Sequence, residues 1–240
     1  MSCSLTNQTV AVLGGSSGIG LAVARGAHRL GARVIIGGRD PQRIAAAARE
    51  NAGLETATLD ITDEAEVAAF FERIGTLDHL VVTAGALLGS SPLGALDFKA
   101  AREAFDVKLT GSLLAAKHAA PRLRPGGSIG FTSGMLARKP SPNAVVKTAI
   151  NAALEAATRQ LARELAPVRV YAISPGPVNT PSWRLMDDSS RAAMFEKLGN
   201  TLPVGFAATD DDTAAGYLFA MQARALTGAV IDLDSGALVA

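Results

Sequence analysis

The 240-residue chain has one cysteine, Cys3, and three widely separated histidines, His28, His79 and His118. One cysteine closes no intramolecular disulfide, and imidazoles this scattered lack metal-ligand spacing, so no metal is expected. Both scarcities suit a reducing cytoplasm. Charge of one sign is also missing: 23 Lys and Arg stand against 22 Asp and Glu, a net charge of +1. Nothing in that balance points to nucleic acid or an anionic membrane as partner. No run approaches the roughly 18 uninterrupted apolar residues of a membrane span, and no basic segment precedes an apolar one near Met1, so no span and no export signal are expected. Charged residues make up 19% and hydrophobic residues 48%, which excludes a disordered chain and describes a globular protein with a large core. A chain of this length falls short of the size at which cores usually divide, so residues 1–240 are expected to form a single domain.

Short apolar runs alternate with Ala-rich helical stretches. Thr9–Leu13, Arg33–Ile36, Thr56–Leu59, Leu77–Val82, Ser128–Phe131, Val168–Ile173 and Ala229–Leu233 read as strands. Their near-continuous apolarity suits strands covered on both faces. Helical patterns fall at about 18–30, 41–51, 63–73, 97–119, 144–165 and 210–222. The alternation predicts an α/β fold: a doubly wound, seven-stranded parallel sheet with helices on both faces and ligands beyond the strands' carboxyl ends. The polar, Pro-bearing stretch at about 181–208 interrupts the pattern and is expected to be a substrate loop. Its Trp183, Leu185, Met186, Met194, Phe195 and Leu198 serve either as an apolar lining or as packing between loop and body.

The first strand runs directly into Gly14-Gly15-Ser16-Ser17-Gly18-Ile19-Gly20, which opens a helix. Glycine there lets backbone N–H groups approach a pyrophosphate, and the helix start favours negative charge. A plain Gly-rich turn is the competing reading, weakened by the position between strand and helix. No Gly-Lys-Ser/Thr follows, so a Walker-type loop is excluded.

This spacing, with Asp60 after strand three, Ala84-Gly85 after strand four, Ser133 after strand five, Pro175-Gly176-Pro177-Val178-Asn179-Thr180 after strand six and Asp234-Ser235-Gly236 near the end, resembles the short-chain dehydrogenase/reductase family over nearly the whole chain. The resemblance implies a Rossmann fold, a nicotinamide dinucleotide, hydride transfer to or from a small carbonyl or alcohol, and a homotetramer. It implies cofactor contacts from Gly14, Ser16, Ser17, Gly18, Ile19, Gly20, Asp60, Ile61, Ala84, Gly85, Pro175, Gly176, Val178 and Thr180. Asp60 contacts adenine, serves the start of the next helix, or does both. At the end of strand two, Gly38 stands where NAD-binding members carry an acid for the ribose, and Arg39 offers a fork suited to a 2′-phosphate. NADP(H) is therefore expected over NAD(H). A solvent-facing Arg39 is the alternative.

The proton-transfer half of the family pattern is rewritten. The family uses Tyr to give or take a proton, Lys to lower the Tyr pKa and hold the ribose, Ser to polarise the carbonyl, and Asn to support a water relay. The downstream helix Thr158–Leu165 sets a register that puts Lys147 at the Tyr position, Asn151 at the Lys position and Ser133 14 residues before Lys147. A second register keeps Lys147 as the family Lys and makes Asn143 the Tyr replacement. Under both the tyrosine is absent, because Tyr171 and Tyr217 lie in other elements. Lys108 stands where the family has Asn, and Val82-Thr83 replaces the usual paired asparagines. Lys108 and Lys147 reach solvent or face the nicotinamide. In the second case two ammonium groups share a cleft, one titrates nearer neutrality, Lys147 moves the proton, Ser133 holds the substrate oxygen, and Lys108 restores near the ribose the cation that Asn151 has lost. A catalytically silent NADP(H)-binding protein with a sensing or assembly role is the alternative function. A methyltransferase is disfavoured by Gly38-Arg39. His79 and His118 are expected to be structural.

Overall fold

The computed structural model describes residues 4–86, 88–183 and 186–240; Leu185 lies outside them. The strands are β1 (Thr9–Leu13), β2 (Arg33–Gly38), β3 (Leu54–Thr58), β4 (Leu77–Val82), β5 (Leu123–Thr132), β6 (Arg169–Pro175) and β7 (Ala229–Leu233). They form one parallel sheet in the order β3-β2-β1-β4-β5-β6-β7. The helices are α1 (Gly18–Arg29), α2 (Pro41–Glu50), α3 (Glu64–Ile74), α4 (Phe98–Phe105), α5 (Gly111–Ala119), α6 (Val145–Glu164), α7 (Asp188–Gly199) and α8 (Asp210–Gln222).

Strand periodicity divides the core in two. Ala11 and Leu13 of β1 face one way, onto Phe70 and Phe71 of α3, Ala115 of α5 and Ile150 and Leu154 of α6. Val10 and Val12 face the other, onto Val23 of α1, Ile44 of α2 and Tyr217 of α8. All five residues of β1 and all seven of β6 are buried, as strands with helices on both faces must be. Among the described residues no helix is long and apolar enough to cross a membrane.

Three expectations change in detail. The run 97–119 is helical from Phe98 to Ala119 as expected, but a π turn at Asp106–Thr110 lies within it, between α4 and α5. Such a wide turn swings the residues that follow it around the helix axis, something a 3.6-residue pattern does not reveal. Strand β5 begins at Leu123 and crosses Pro125-Gly126-Gly127, which pattern reading takes as a break. The interrupting stretch carries its own helix, α7, whose first turn is capped by the Asp187 carboxylate accepting from Ser190 N–H.

Helix starts prepare the site. Asp40 caps α2 by accepting from the N–H groups of Gln42 and Arg43; Asp63 and Asp97 do the same for α3 and α4. Ser17, at the start of α1, makes no side-chain cap. At Gly20 a Cβ would lie 2.4 Å from both Gly14 O and Thr83 Oγ1, so α1 sits against the turn only because no side chain intervenes. Thr83 Oγ1 in turn donates to Leu13 O and Gly14 O, tying the end of β4 to the turn. Gly20→Ala is expected to cost about 1–3 kcal/mol through overpacking, seen as a Tm several degrees lower; an unchanged Tm would mean that the turn yields freely.

Candidate active site

The strand order reverses direction between β1 and β4, and there the loops part to leave a cleft of about 1110 Å³. Gly14, Ser16, Ser17, Gly18, Ile19, Gly20, Arg39, Asp60, Ile61, Ala84, Gly85 and Thr180 line it. Pro175, Gly176 and Val178 do not. Pro175 is the last buried residue of β6, paired with Leu233. Gly176 is needed for close packing, since its Cβ would lie 2.8 Å from Asp234 Cα. Val178 is buried. The chain returns to the cleft only at Thr180.

Beyond the end of β2 two arginines line the cleft, Arg39 and, in the first turn of α2, Arg43. Arg43 Nη2 donates to Ser17 Oγ at 2.8 Å, bridging the first turn of α2 to the glycine turn. Sequence reading overlooked Arg43; the available signal was its place four residues after Arg39, in the first turn of a helix begun by Asp40-Pro41. The Asp60 carboxylate accepts from Thr62 N–H at 2.9 Å and Thr62 Oγ1 at 2.8 Å while also lining the cleft. Burial pushes its pKa up, but the Thr62 donors and the charge of Arg39 outweigh burial and hold it below the usual carboxylate value.

The cleft continues into a cavity of about 220 Å³, with Thr83, Ala84, Gly85, Ala86 and Thr132 common to both. Lys108, Lys147 and Asn151 enter this cavity together. Lys108 sits on the π turn, and its Nζ donates to Asn151 Oδ1 at 2.6 Å and to Ser133 O at 3.1 Å. The two side chains whose types look exchanged are thus in direct contact across the helices. Lys108 is half-buried and lines the cavity; burial, then the charge of Lys147, lowers its pKa from 10.5 to about 8. Lys147 Nζ donates to Ser90 Oγ at 3.3 Å, and partial burial lowers its pKa as well. Lys147 and Asn151 lie one turn apart on α6. Asn143 lies outside the cavity, in an exposed turn before α6 with φ of +64°.

Ser133 requires a correction. Its side chain is buried, and its Oγ donates to Asn151 O at 3.2 Å and Glu155 Oε1 at 3.0 Å, beneath α6 and not into the cavity. Consecutive residues leaving a strand point to opposite sides, and the hydroxyl residue that lines the cavity is its neighbour Thr132. Thr132 Oγ1 donates to Val82 O at 2.8 Å. Glu155 and Arg138, also overlooked in the sequence, complete the layer behind: Arg138 Nε lies 3.4 Å from Glu155 Oε2, and its Nη2 bonds Asp232 and Ser174 Oγ. The signal for Glu155 was its position one helical turn after Asn151.

The remaining candidates lie elsewhere. His79 is buried, with Nδ1 2.8 Å from Ser128 Oγ and Nε2 2.8 Å from Gln8 Oε1; burial, then the charge of Arg169, lowers its pKa to about 4. His118 pairs with Glu64. Trp183 donates from Nε1 to Val178 O and stacks edge-on against buried Phe195 at 5.7 Å, so these two pack the loop onto the body.

A glycine-lined crevice at the switch point of a doubly wound sheet defines a Rossmann-type nucleotide-binding protein. A family model described as enoyl-(acyl carrier protein) reductase matches residues 14–237. A short-chain dehydrogenase/reductase of Stachybotrys chlorohalonatus is 34% identical over 98% of both chains. Cis-4-hydroxycyclohexanecarboxylate dehydrogenase of Sinomonas cyclohexanicum is 33% identical over 94% of both. Among solved structures, a small-chain dehydrogenase in complex with NADPH, 43% identical, superposes with a TM-score of 0.86 over 97% of this chain and 99% of that one. The MalC reductase/Diels-Alderase of Malbranchea aurantiaca, 27% identical, gives 0.91 over the whole of both. The chain belongs to the short-chain dehydrogenase/reductase family, oxidoreductases that bind a nicotinamide cofactor.

The Lys108 pKa has a consequence for stability. Between about 8 and 10.5 the unfolded chain binds more protons than the native one, so the native state gains stability as pH rises through that window; below it the buried charge costs a constant amount. In urea unfolding at about pH 7.5 and about pH 10, the native chain is therefore expected to gain on Lys108→Met at the higher pH. A difference independent of pH would show that the amine is solvated.

Proposed function

We propose that this chain is an NADP(H)-dependent oxidoreductase that interconverts a small carbonyl and its alcohol with a lysine-based catalytic set. The observation that carries this is the contact of Lys108 with Asn151 at the inner end of the cleft that begins at the glycine turn. The residues fit a dinucleotide: the first-turn N–H groups of α1 carry no side-chain cap and no acidic residue beside them, and so stand ready for a pyrophosphate. Arg39 and Arg43 suit a 2′-phosphate, position 38 carries glycine and no acid, the nearby Asp40 carboxylate is engaged in capping α2, and a related structure holds NADPH. When bound, the nicotinamide supplies or takes the hydride. Lys108 provides a cation beside the ribose site. Lys147 hydrogen-bonds the substrate oxygen and gives up a proton to it in reduction, or takes one in oxidation, and its pKa, lowered by partial burial, eases the release. With Ser133 turned inward, Lys147 does this without a serine partner. The homotetramer is what the family resemblance implies, and exposed Phe98, Val145 and Phe219, on α4, α6 and α8, are apolar side chains available to its interfaces.

NADPH is expected to bind more tightly than NADH by about 1–3 kcal/mol, with Arg39→Ala or Arg43→Ala removing most of the preference in fluorescence titrations; equal affinities in the unaltered chain would sink the assignment. In an NADPH oxidation assay over a carbonyl panel, Lys147→Ala should lose turnover yet still bind cofactor, and Lys108→Ala should weaken binding. Cofactor binding without turnover on any carbonyl would favour the silent reading. Light scattering is expected to give four times the chain mass at micromolar concentration, and the monomer mass would refute assembly.

A further inference from the structure

Among the described residues, the cavity at the inner end of the cleft is lined by two amine side chains and no carboxylate. Its other walls are largely apolar, with Leu88, Ala104, Leu136 and Ile150 among them. Among the described residues, Lys108 Nζ meets only neutral oxygens, those of Asn151 and Ser133, and Lys147 Nζ meets only the Ser90 hydroxyl, at 3.3 Å. Neither amine enters an ion pair among the described residues. The buried carboxylate one turn further along α6, Glu155, is engaged by Ser133 Oγ and Arg138 on the far side of the serine. In the adjoining cleft Asp40 caps α2, Asp60 bonds Thr62, and Glu103 and Asp106 bond neither amine.

Two like charges in a small apolar space repel each other and lose hydration, a cost that an opposite charge arriving from outside relieves. Lys147, partly open and held by one long hydrogen bond, is the amine able to receive it. An ammonium has three N–H donors, so one group can serve a carboxylate oxygen and the reacting oxygen beside it. We propose that the substrate is an anion, a small oxo acid or the corresponding hydroxy acid, whose carboxylate pairs with Lys147. The inference rests on the oxidoreductase reading above and names its substrate class. A cavity of about 220 Å³ lies below the usual size of a drug-like site and so suits acids of a few carbons.

The test is calorimetric titration of the full chain loaded with NADP⁺, in which an oxo acid forms a complex that cannot react. The probes are 2-oxobutanoate, 3-oxobutanoate and 4-oxopentanoate, each beside its methyl ester, which keeps the ketone and removes the charge. At least one acid is expected to bind ten times or more tightly than its ester; Lys147→Met should bring that ratio within twofold, and Lys147→Arg should keep most of it. Esters binding as well as acids, no acid binding, or an acid preference that survives in Lys147→Met would overturn the proposal. NADP⁺ titration of each variant separates the levels: loss of NADP⁺ binding in the unaltered chain defeats the cofactor reading and the inference with it, whereas NADP⁺ binding without acid preference defeats the substrate class alone.

Discussion

A parallel sheet gathers the carboxyl ends of all its strands along one edge, and its crossovers need helices that cover both faces. In this chain everything functional depends on that constraint. The connections from β1 and β4 leave toward opposite faces, so the edge opens between them. The glycine turn follows β1, the two arginines follow β2, Asp60 follows β3, Thr83–Ala86 follow β4 and Thr132 ends β5. Segments remote in sequence meet because the sheet ends there.

Within that crevice, charge has been redistributed in a way backbone geometry alone would not require. The π turn aims Lys108 across to α6, where Asn151 receives it through a neutral oxygen. Behind them Ser133, Glu155, Arg138 and Asp232 form a polar layer joining the end of β5 to α6 and β7. Groups in such a layer are costly when unpartnered and rigid when satisfied. Here each has a partner, which holds Asn151 in place from beneath. Gly134 serves the same packing: a Cβ there would lie 2.8 Å from Asn151 Nδ2.

Much of the architecture was legible because its signals are local. Unbroken apolarity marks a strand buried on both faces, and β1, β4 and β7 have the bounds read from their residues. The glycine turn declares itself by spacing, and the missing acid at Gly38 is visible without coordinates. Twelve of the expected cleft residues line it, whereas Pro175, Gly176 and Val178 do not. Their motif is a packing motif as much as a binding one, and sequence does not separate the two uses.

The alternation of strands and helices, the position of the phosphate turn, the absence of a tyrosine from the α6 register and the lysines at 108 and 147 are all written in local pattern. The direction in which the side chains point comes from packing. Ser133 turns under α6 because strand alternation and the Glu155 carboxylate draw it there, and Arg43 reaches Ser17 because the cap at Asp40 sets the first turn of α2 against the glycine loop. Lys108 meets Asn151 because a single wide turn rotates the helix that carries it. These outcomes depend on contacts between residues 22 to 43 positions apart in the chain, and no local pattern encodes the direction of a bond that closes only when the helices pack.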